Sequence, residues 1–239
     1  MIEIKDVDLK QLSELDIQQI GRDLLEHLVV VIRGQDLTPD DQSRICGIIG
    51  DMQNYHKETY VREYTKNVAV HENILRVTGE KDKEGKQGLF GHNEVLDWHA
   101  NMVGNPMRDP LIWLYGVKGT KGSRTSWLDN AEAYKNLPES LKERIKKLKI
   151  YTGYEVNRIS PTTYFHDHIG DIPFDMYYKN PLGKEGMFFP FLQIFAMEED
   201  GEFIDDYQEV IDEIRSHVER EEYMYHHDWE DGDVVISEQ

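Results

Sequence analysis

The chain has 239 residues, 46 of them acidic and 27 basic, so its formal net charge at pH 7 is −19. This length suits one large domain or two small ones, and a hydrophobic content of 39% excludes a disordered chain despite the charge. The acidity argues against nucleic acid and membrane surfaces as partners, because phosphate binding needs clustered Lys and Arg, and the single cysteine, Cys46, excludes an intramolecular disulfide and a Cys-rich zinc site.

The first fifty residues predict a helix, a strand and a second helix. Apolar positions at helical spacing indicate an amphipathic helix that runs from about residue 12 toward His27. The run LVVVIR at residues 28–33 is short and β-branched, which favours a buried strand. Thr38 is placed to cap the next helix, with Pro39 in its first turn, and that helix is expected to end near Gly50.

The rest of the chain alternates short strands with polar connections and a few helices. Strands are expected at residues 74–77, 111–117, 124–128, 151–156 and 234–237. Pro138 is expected to open a helix that has Leu148 on its apolar face and three lysines at residues 146–149 in its last turn. A stripe from Phe203 to Val218 predicts the last helix. This pattern favours a mainly β fold with flanking helices, a sandwich or jelly roll, over a doubly wound α/β sheet, which needs regular alternation and a phosphate loop.

Ten histidines make a metal site the first chemistry to consider. In an extended strand His99 and Asn101 point to the same face, so both could bind one metal ion, although an amide oxygen is a neutral and weaker ligand than a carboxylate. His92 with Glu94, and His166 with His168, are alternatives at the same spacing. The adjacent pair His226 and His227 would face opposite ways on a strand, and the ordinary interpretation of all these histidines is an exposed loop or helix end.

Nucleophilic catalysis finds little support in the sequence. The serines at positions 123, 126, 160 and 237 lack an elbow motif such as G-x-S-x-G. Cys46 falls on the apolar face of a predicted helix, where burial would suppress its reactivity. A pair of acids of the glycosidase type stays an open alternative, because 46 acidic residues offer too many pairs to single one out. We therefore assign no catalytic nucleophile or acid–base residue.

Four segments resemble, in order along the chain, the taurine dioxygenase-like family of Fe(II)/2-oxoglutarate oxygenases. They are residues 29–42 (VVVIRGQDLTPDDQ), residues 98–101 (WHAN), residues 122–130 (GSRTSWLDN) with the following Ala-Tyr and Leu-Pro pairs, and residues 229–236 (WEDGDVVI). Each motif is modest alone, and together they extend over nearly the whole chain.

The resemblance implies a double-stranded β-helix (jelly roll, cupin-like) that binds one Fe(II), with 2-oxoglutarate as cosubstrate. It places the metal histidine at His99, the position of the metal carboxylate at Asn101, and the threonine that contacts the 2-oxoglutarate carboxylate at Thr125. A threonine hydroxyl is a physically sensible donor to a carboxylate. The protein would position and shield the iron, which carries the oxidative chemistry.

Two departures from the family pattern stand out. Asn101 removes one negative charge from the metal site, and Glu94 or Asp97 would supply a carboxylate if the local register differed. The second metal histidine and a cosubstrate arginine are expected shortly after residues 234–237, beyond Gln239. We therefore expect a single oxygenase-like domain over residues 1–239 that lacks its C-terminal end.

The leading hypothesis is a non-haem Fe(II)/2-oxoglutarate-dependent dioxygenase that hydroxylates a small organic molecule, with dioxygen as the other substrate. One alternative is a non-catalytic member of the same fold that acts as a binding or interaction module; another is a zinc-type metalloprotein that uses His166 and His168. No nucleic-acid or membrane partner is expected, and a homo-oligomer stays open. The start of the chain lacks the features of a signal peptide, so we expect a cytoplasmic location.

Overall fold

A computed structural model describes residues 1–52, 69–81, 85, 97–101, 111–153 and 173–239. The described helices are α1 (Glu14–His27), α2 (Pro39–Ile49), α3 (Asn130–Lys135), α4 (Glu139–Ile145) and α5 (Tyr207–Val218). The described strands are β1 (Ile2–Ile4), β2 (Val29–Ile32), β3 (Ala69–His71), β4 (Ile74–Leu75), β5 (Leu111–Tyr115), β6 (Arg124–Leu128), β7 (Leu148–Thr152), β8 (Phe174–Asp175), β9 (Tyr177–Lys179), β10 (Glu185–Met187), β11 (Ile194–Glu199), β12 (Glu202–Phe203), β13 (Met224–Asp228) and β14 (Val234–Glu238).

The first two helices begin at capping boxes. Ser13 accepts a hydrogen bond from the backbone N–H of Asp16, and the Asp16 side chain reaches back to the N-cap backbone. Thr38 and Asp41 repeat this arrangement at the start of α2, where Pro39 occupies the first turn as the sequence predicted. Each reciprocal pair satisfies backbone N–H groups that the first turn of a helix leaves free. The caps therefore fix where the helices that cover the main sheet begin.

The main sheet has the strand order β1-β2-β14-β5. Strand β2 pairs with β1 in parallel and with β14 antiparallel, and β14 pairs antiparallel with β5. Strand β14 is therefore central, and its Val234, Val235 and Ile236 are fully buried. The last described strand of the chain lies between strands that come from the beginning and the middle of the sequence.

Alternate residues of the main sheet pack on two different sides. Val30 and Ile32 of β2 pack with Ile236 of β14 against the apolar faces of α1 and α2. Val29 and Val31 point the other way and form a separate cluster with Val235 and Trp229. The period-two alternation of a strand thus gives β2 a helix-covered outer face and an inner face.

A second antiparallel pair, β6 and β13, packs against that inner face. Its register places Thr125 opposite His227 and Trp127 opposite Tyr225. Trp127 and Tyr225 pack on the cluster of Val29, Val31, Val235 and Trp229, with the two rings stacked at a centroid distance of 5.9 Å. Two sheets that enclose a shared apolar interior are the sandwich arrangement expected from the sequence.

The largest core lies on a third sheet. This sheet has the order β12-β11-β7-β8, and Ile150 of β7 and Met197 of β11 are completely buried in its core. Helices α3, α4 and α5 cover the sheet, with the completely buried Ile214 of α5 among the contacts. Among the described residues the sheets do not close into a barrel, so the structure shows a layered mixture of strands and helices.

The structure corrects three predicted boundaries. Leu148, which was expected at the end of the helix that Pro138 opens, is instead the first residue of β7, because the chain leaves the helix at Lys146. Phe203 lies in β12 and is 64% exposed, so the last helix begins only at Tyr207. The predicted strand at residues 74–77 is reduced to β4 (Ile74–Leu75). In the described part of the chain, no helix combines the length and apolarity needed to span a membrane.

Candidate active site

Thr125 lies on the inner side of the sandwich, in strand β6. It has the same strand parity as Trp127, which packs in the interior cluster, and its hydroxyl oxygen accepts a hydrogen bond of 2.9 Å from the indole Nε1–H of Trp229. A threonine hydroxyl has two lone pairs and one O–H. Because the indole can only donate, it occupies a lone pair and leaves the Thr125 O–H to act as a donor, which is the role expected for a carboxylate ligand.

A buried polar network centred on His227 and Asp233 holds Trp229 in place. The rings of His227 and Trp229 meet edge to face at a centroid distance of 4.6 Å. His227 Nε2–H donates to Asp233 Oδ2 at 2.9 Å, and its Nδ1 accepts from the Tyr225 hydroxyl at 3.0 Å. Arg33 Nη1 and the backbone N–H of Glu230 donate to the same Asp233 oxygen at 2.7 and 3.0 Å. These bonds fix the turn that carries Trp229.

Burial favours the neutral form of His227. Its side chain is completely buried, and this burial lowers the pKa of the imidazole below its ordinary value of 6.5, although the Asp233 carboxylate opposes the shift. The hydrogen bonds to Tyr225 and Asp233 suit the neutral ring, with one nitrogen accepting and the other donating. The expectation that this histidine is exposed is therefore wrong, while the expectation that His226 and His227 face opposite ways is confirmed.

Two of the sequence motifs that carried the family resemblance meet at this turn. The backbone N–H of Gln35 donates to Gly232 O at 2.7 Å, beside the Arg33–Asp233 ion pair. Gly232 has φ +92°, and a Cβ at this position would lie 2.9 Å from Gln35 O. Only glycine fits there without displacing backbone. The Arg-Gly-Gln motif and the Gly-Asp motif are thus bonded to each other, and together they hold the turn that follows Trp229.

His99 lies in a segment that has neither helix nor strand. Residues 97–100 are irregular and Asn101 lies in a turn, so the expectation that His99 and Asn101 lie on an extended strand is wrong. The two residues are nevertheless held by their surroundings, because Trp98 and the buried Ala100 pack in the largest core. The His99 side chain between them is exposed.

The imidazole of His99 is held by a hydrogen bond at one of its two nitrogens. Its Nδ1 lies 2.9 Å from Asp97 O, and since a carbonyl oxygen only accepts, Nδ1 carries the proton. The other nitrogen, Nε2, then has a free lone pair on an exposed ring. Metal-binding histidines commonly donate their second N–H to a carbonyl or carboxylate in this way. The arrangement fits a divalent metal ion at His99.

Within the described part of the chain, Asp97 is the carboxylate nearest to His99 in sequence, and it is already engaged. Asp97 Oδ1 accepts from the backbone N–H of Trp98 at 2.9 Å, and Asp97 Oδ2 accepts from Arg215 at 3.2 Å. This aspartate therefore anchors the segment instead of supplying a ligand. Among the described residues, no cluster of three or more His, Cys, Asp or Glu side chains is placed to hold a metal ion. His92, Glu94, His166 and His168 lie outside the described residues.

Strand β14, with the residue that follows it, contacts both the surroundings of Thr125 and the segment that carries His99. Its Val235 packs with Trp229, the residue that orients Thr125. Gln239, which follows the strand, accepts a hydrogen bond of 2.5 Å from the backbone N–H of Asn101. Four residues of extended chain span about 13 Å. The strand thus runs from the Thr125 environment toward the His99 segment.

Other polar groups lie elsewhere. Ser126 Oγ is 2.6 Å from His226 Nδ1, and His226 Nε2 is 3.0 Å from Glu221. This chain resembles a nucleophilic triad, but it lies on the opposite face of β6 and β13 from Thr125 and ends at an exposed carboxylate. A cleft of about 490 Å³ between α3, α4 and the turn before β10 is lined by equal numbers of lysines and acids, and neither His99 nor Thr125 contributes to it.

Sequence comparison identifies relatives of this chain. The family model described as taurine catabolism dioxygenase TauD, TfdA family matches residues 2–238. The alpha-ketoglutarate-dependent 2,4-dichlorophenoxyacetate dioxygenase of Cupriavidus pinatubonensis is 23% identical over 244 residues, covering 98% of this chain and 84% of that protein. Pentalenolactone F synthase of Streptomyces avermitilis is 25% identical over 151 residues, covering 60% of this chain and only 47% of that protein.

Solved structures show the same fold. A taurine dioxygenase from Burkholderia xenovorans superposes with a TM-score of 0.75 at 18% identity, covering 99% of this chain and 75% of that one. The crystal structure of AAD-2 in complex with Mn(II) and N-oxalylglycine superposes with a TM-score of 0.76 at 17% identity, covering 99% and 84%.

Proposed function

The chain belongs to the TauD/TfdA family of Fe(II)- and 2-oxoglutarate-dependent dioxygenases, and from this premise we propose that it hydroxylates a small organic molecule with His99, Asn101 and Thr125 at its site. His99 is the proposed metal ligand, Asn101 the neutral residue at the carboxylate position, and Thr125 the donor to 2-oxoglutarate. We assign no separate acid, base or nucleophile.

The observation that carries the proposal is the hydrogen bond from Trp229 to Thr125 on the inner side of the sandwich. A hydroxyl whose lone pair is already engaged presents its O–H to an anion, and a carboxylate is the anion that the family's cosubstrate offers. The apolar cluster of Val31, Val235 and Trp127 lies on the same side of the sandwich and Thr125 is half-buried, so a hydrogen bond there is less weakened by water than one at a fully exposed position.

Bound iron would supply the oxidative chemistry, in which dioxygen oxidises 2-oxoglutarate and the substrate. The contribution of the protein is orientation. His99 holds its Nε2 lone pair outward because its Nδ1–H is bonded to Asp97 O, and Thr125 holds the cosubstrate carboxylate. Asn101 leaves the site one negative charge short of the family pattern.

As part of the same proposal, the chain forms one domain of double-stranded β-helix type. The support is the opposition of the main sheet and the β6–β13 pair across a shared interior, together with the superposition on dioxygenases of the family. The expected second metal histidine and cosubstrate arginine stay predictions, as do a homo-oligomer and a cytoplasmic location. We expect loops at residues 59–91 and 157–186 to select the substrate, and parts of both lie outside the described residues.

The test is oxidation of 2-oxoglutarate in the presence of Fe(II), ascorbate and dioxygen. Succinate and carbon dioxide are measured with a panel of small acids that includes taurine and 2,4-dichlorophenoxyacetate, the compounds named in the relatives. We expect succinate to form only when iron and dioxygen are both present, and to rise with at least one panel member. Wild-type protein with verified bound iron and no succinate above the iron-free background would refute the proposal.

A second candidate is a non-catalytic member of the family that retains 2-oxoglutarate or a related acid as a ligand. The neutral Asn101 favours it, because one carboxylate fewer weakens the binding of a divalent cation. This candidate predicts 2-oxoglutarate binding that is independent of metal, measured by calorimetry with and without Co(II). The zinc site at His166 and His168 remains a prediction from the sequence alone.

A further inference from the structure

The segment that carries His99 lacks regular secondary structure, so its backbone must find hydrogen-bond partners elsewhere. Trp98 O accepts from the backbone N–H of Leu192 at 3.0 Å, and Asn101 N–H donates to the Gln239 side chain. These bonds hold the two ends of the segment. The residue between the candidate ligands, Ala100, has a partner of a different kind.

Gln193 binds both backbone groups of Ala100. Its Oε1 accepts from Ala100 N–H at 2.8 Å, and its Nε2–H donates to Ala100 O at 2.8 Å. The glutamine is only 2% exposed. Its own backbone is fixed, because its N–H donates to Pro190 O and its carbonyl accepts from Gly153 N–H, both at 2.9 Å. The amide therefore acts as a rigid clamp and not as a flexible surface contact.

The clamp controls the geometry between the two candidate ligands. The N–H of Ala100 belongs to the peptide plane that joins it to His99, and its C=O belongs to the plane that joins it to Asn101. Because each peptide unit is planar, two hydrogen bonds to one rigid amide fix both planes at once. In a strand, hydrogen bonds to the neighbouring strand would fix these peptide planes. Within the described residues this irregular segment has no such neighbour at Ala100, and the Gln193 amide takes that role.

We propose that Gln193 is a positioning residue for the metal site, which holds His99 and Asn101 at the mutual orientation that one divalent cation requires. This inference rests on the proposed function, since it takes His99 to be a metal ligand. Gln193 acts through Ala100 and touches neither metal nor substrate. Residues that orient metal ligands from behind typically change metal affinity by about 10- to 100-fold when they are replaced.

The experiment measures the dissociation constant of Co(II) by visible absorption in the presence of saturating 2-oxoglutarate. Gln193→Met keeps the side-chain volume and removes both hydrogen bonds, while Gln193→Asn keeps the amide but is one methylene too short to reach both groups. We expect each variant to bind Co(II) about tenfold or more weakly than wild type. If the methionine variant does not fold, the asparagine variant decides the question.

The control is Gln42→Met. Gln42 is also a buried glutamine, 7% exposed, but it lies in α2, where its side chain donates a long hydrogen bond of 3.5 Å to Thr38 O within its own helix end. We expect this variant to keep the wild-type affinity for Co(II) even if its melting temperature falls. Folded Gln193 variants with wild-type Co(II) affinity would overturn the role proposed for Gln193 and leave the proposed metal site standing. Wild-type protein that binds no Co(II), or His99→Ala that binds it as tightly as wild type, would instead overturn the proposed metal site and the inference with it.

Discussion

Replacing Trp229 by Phe tests whether the indole N–H orients Thr125 for the cosubstrate. The substitution keeps an aromatic ring against His227 and removes the 2.9 Å hydrogen bond to Thr125 Oγ1. We expect the dissociation constant for 2-oxoglutarate to rise because the hydroxyl loses its fixed orientation. The free energy of unfolding is expected to fall as well, since the buried indole loses a hydrogen bond and part of its volume.

The magnitudes follow from the geometry. A threonine side chain has three staggered positions about χ1, and freeing it from one into all three costs about 0.6 kcal/mol, roughly a threefold loss of 2-oxoglutarate affinity. Removing the hydroxyl itself in Thr125→Val deletes a hydrogen bond to a charged group, worth about 2 kcal/mol or roughly a 30-fold loss. The loss of stability in Trp229→Phe should be about 2 kcal/mol, half from the bond and half from the smaller ring.

The assay is a double-mutant cycle. Calorimetry with Co(II) present gives the 2-oxoglutarate dissociation constant of wild type, Trp229→Phe, Thr125→Val and the double variant, and urea unfolding gives their stabilities. If the indole acts through the hydroxyl, Trp229→Phe should weaken 2-oxoglutarate binding about threefold in wild type and leave it nearly unchanged once the hydroxyl is absent.

Trp113→Phe provides a matched control. Its Nε1 is buried and has no hydrogen-bond partner in the described part of the chain, and its ring packs on the helix-covered side of the main sheet. The same chemical change should therefore leave 2-oxoglutarate binding untouched. The reasoning fails if Trp229→Phe weakens binding equally with and without the Thr125 hydroxyl, because the effect would then come from the fold and not from the hydrogen bond.

The remaining predictions concern the metal ligand, the buried network and pH. His99→Ala should abolish Co(II) binding measured by absorption, and Asn101→Asp should strengthen it at least about tenfold by restoring a negative charge. Asp233→Asn should lower the free energy of urea unfolding by about 2 kcal/mol, because the carboxylate holds Arg33, His227 and a backbone N–H. Because burial lowers the folded-state pKa of His227 below 6.5, the unfolded chain binds more protons just below that pH. Stability should therefore fall as pH drops from about 6.5 toward the lower folded value, and His227→Gln should flatten this slope in urea titrations between pH 5 and 8.

Local patterns in the sequence predicted those parts of the fold that depend on local rules. Thr38 and Pro39 set the start of α2 because a cap needs only residues within one turn. The strand Arg124–Leu128 was predicted with its observed bounds. Phe203 was wrongly joined to the last helix because its spacing matches the helical stripe, whereas its partner is Glu198 across a β-hairpin. The spacing of apolar residues alone cannot show that Phe203 belongs to a β-hairpin, because the helical pattern continues directly after it.

The site was predictable only in its residue types. The family resemblance pointed to Thr125 and His99, but the groups that orient them come from distant parts of the chain. Trp229 is separated from Thr125 by about a hundred residues, and Gln193 from Ala100 by nearly as many. His227 was expected to be exposed because histidines ordinarily lie in loops or at helix ends. Its burial arises only when β13 pairs with β6 and the Gly232 turn brings Asp233 within hydrogen-bonding distance of the ring.

The lack of a negative charge at Asn101 would link metal binding to cosubstrate binding. A divalent cation held by neutral ligands keeps its full charge, and an uncompensated charge in a poorly solvated site is costly. In the proposed site the two carboxylates of 2-oxoglutarate would supply the missing negative charge, and one of them would meet the Thr125 hydroxyl, which accepts a hydrogen bond from Trp229. By linkage, each ligand then raises the affinity for the other by the same factor. Asn101→Asp should reduce that factor because it compensates the metal charge in advance, so the dependence of Co(II) affinity on 2-oxoglutarate distinguishes a neutral site from the usual carboxylate site of the family.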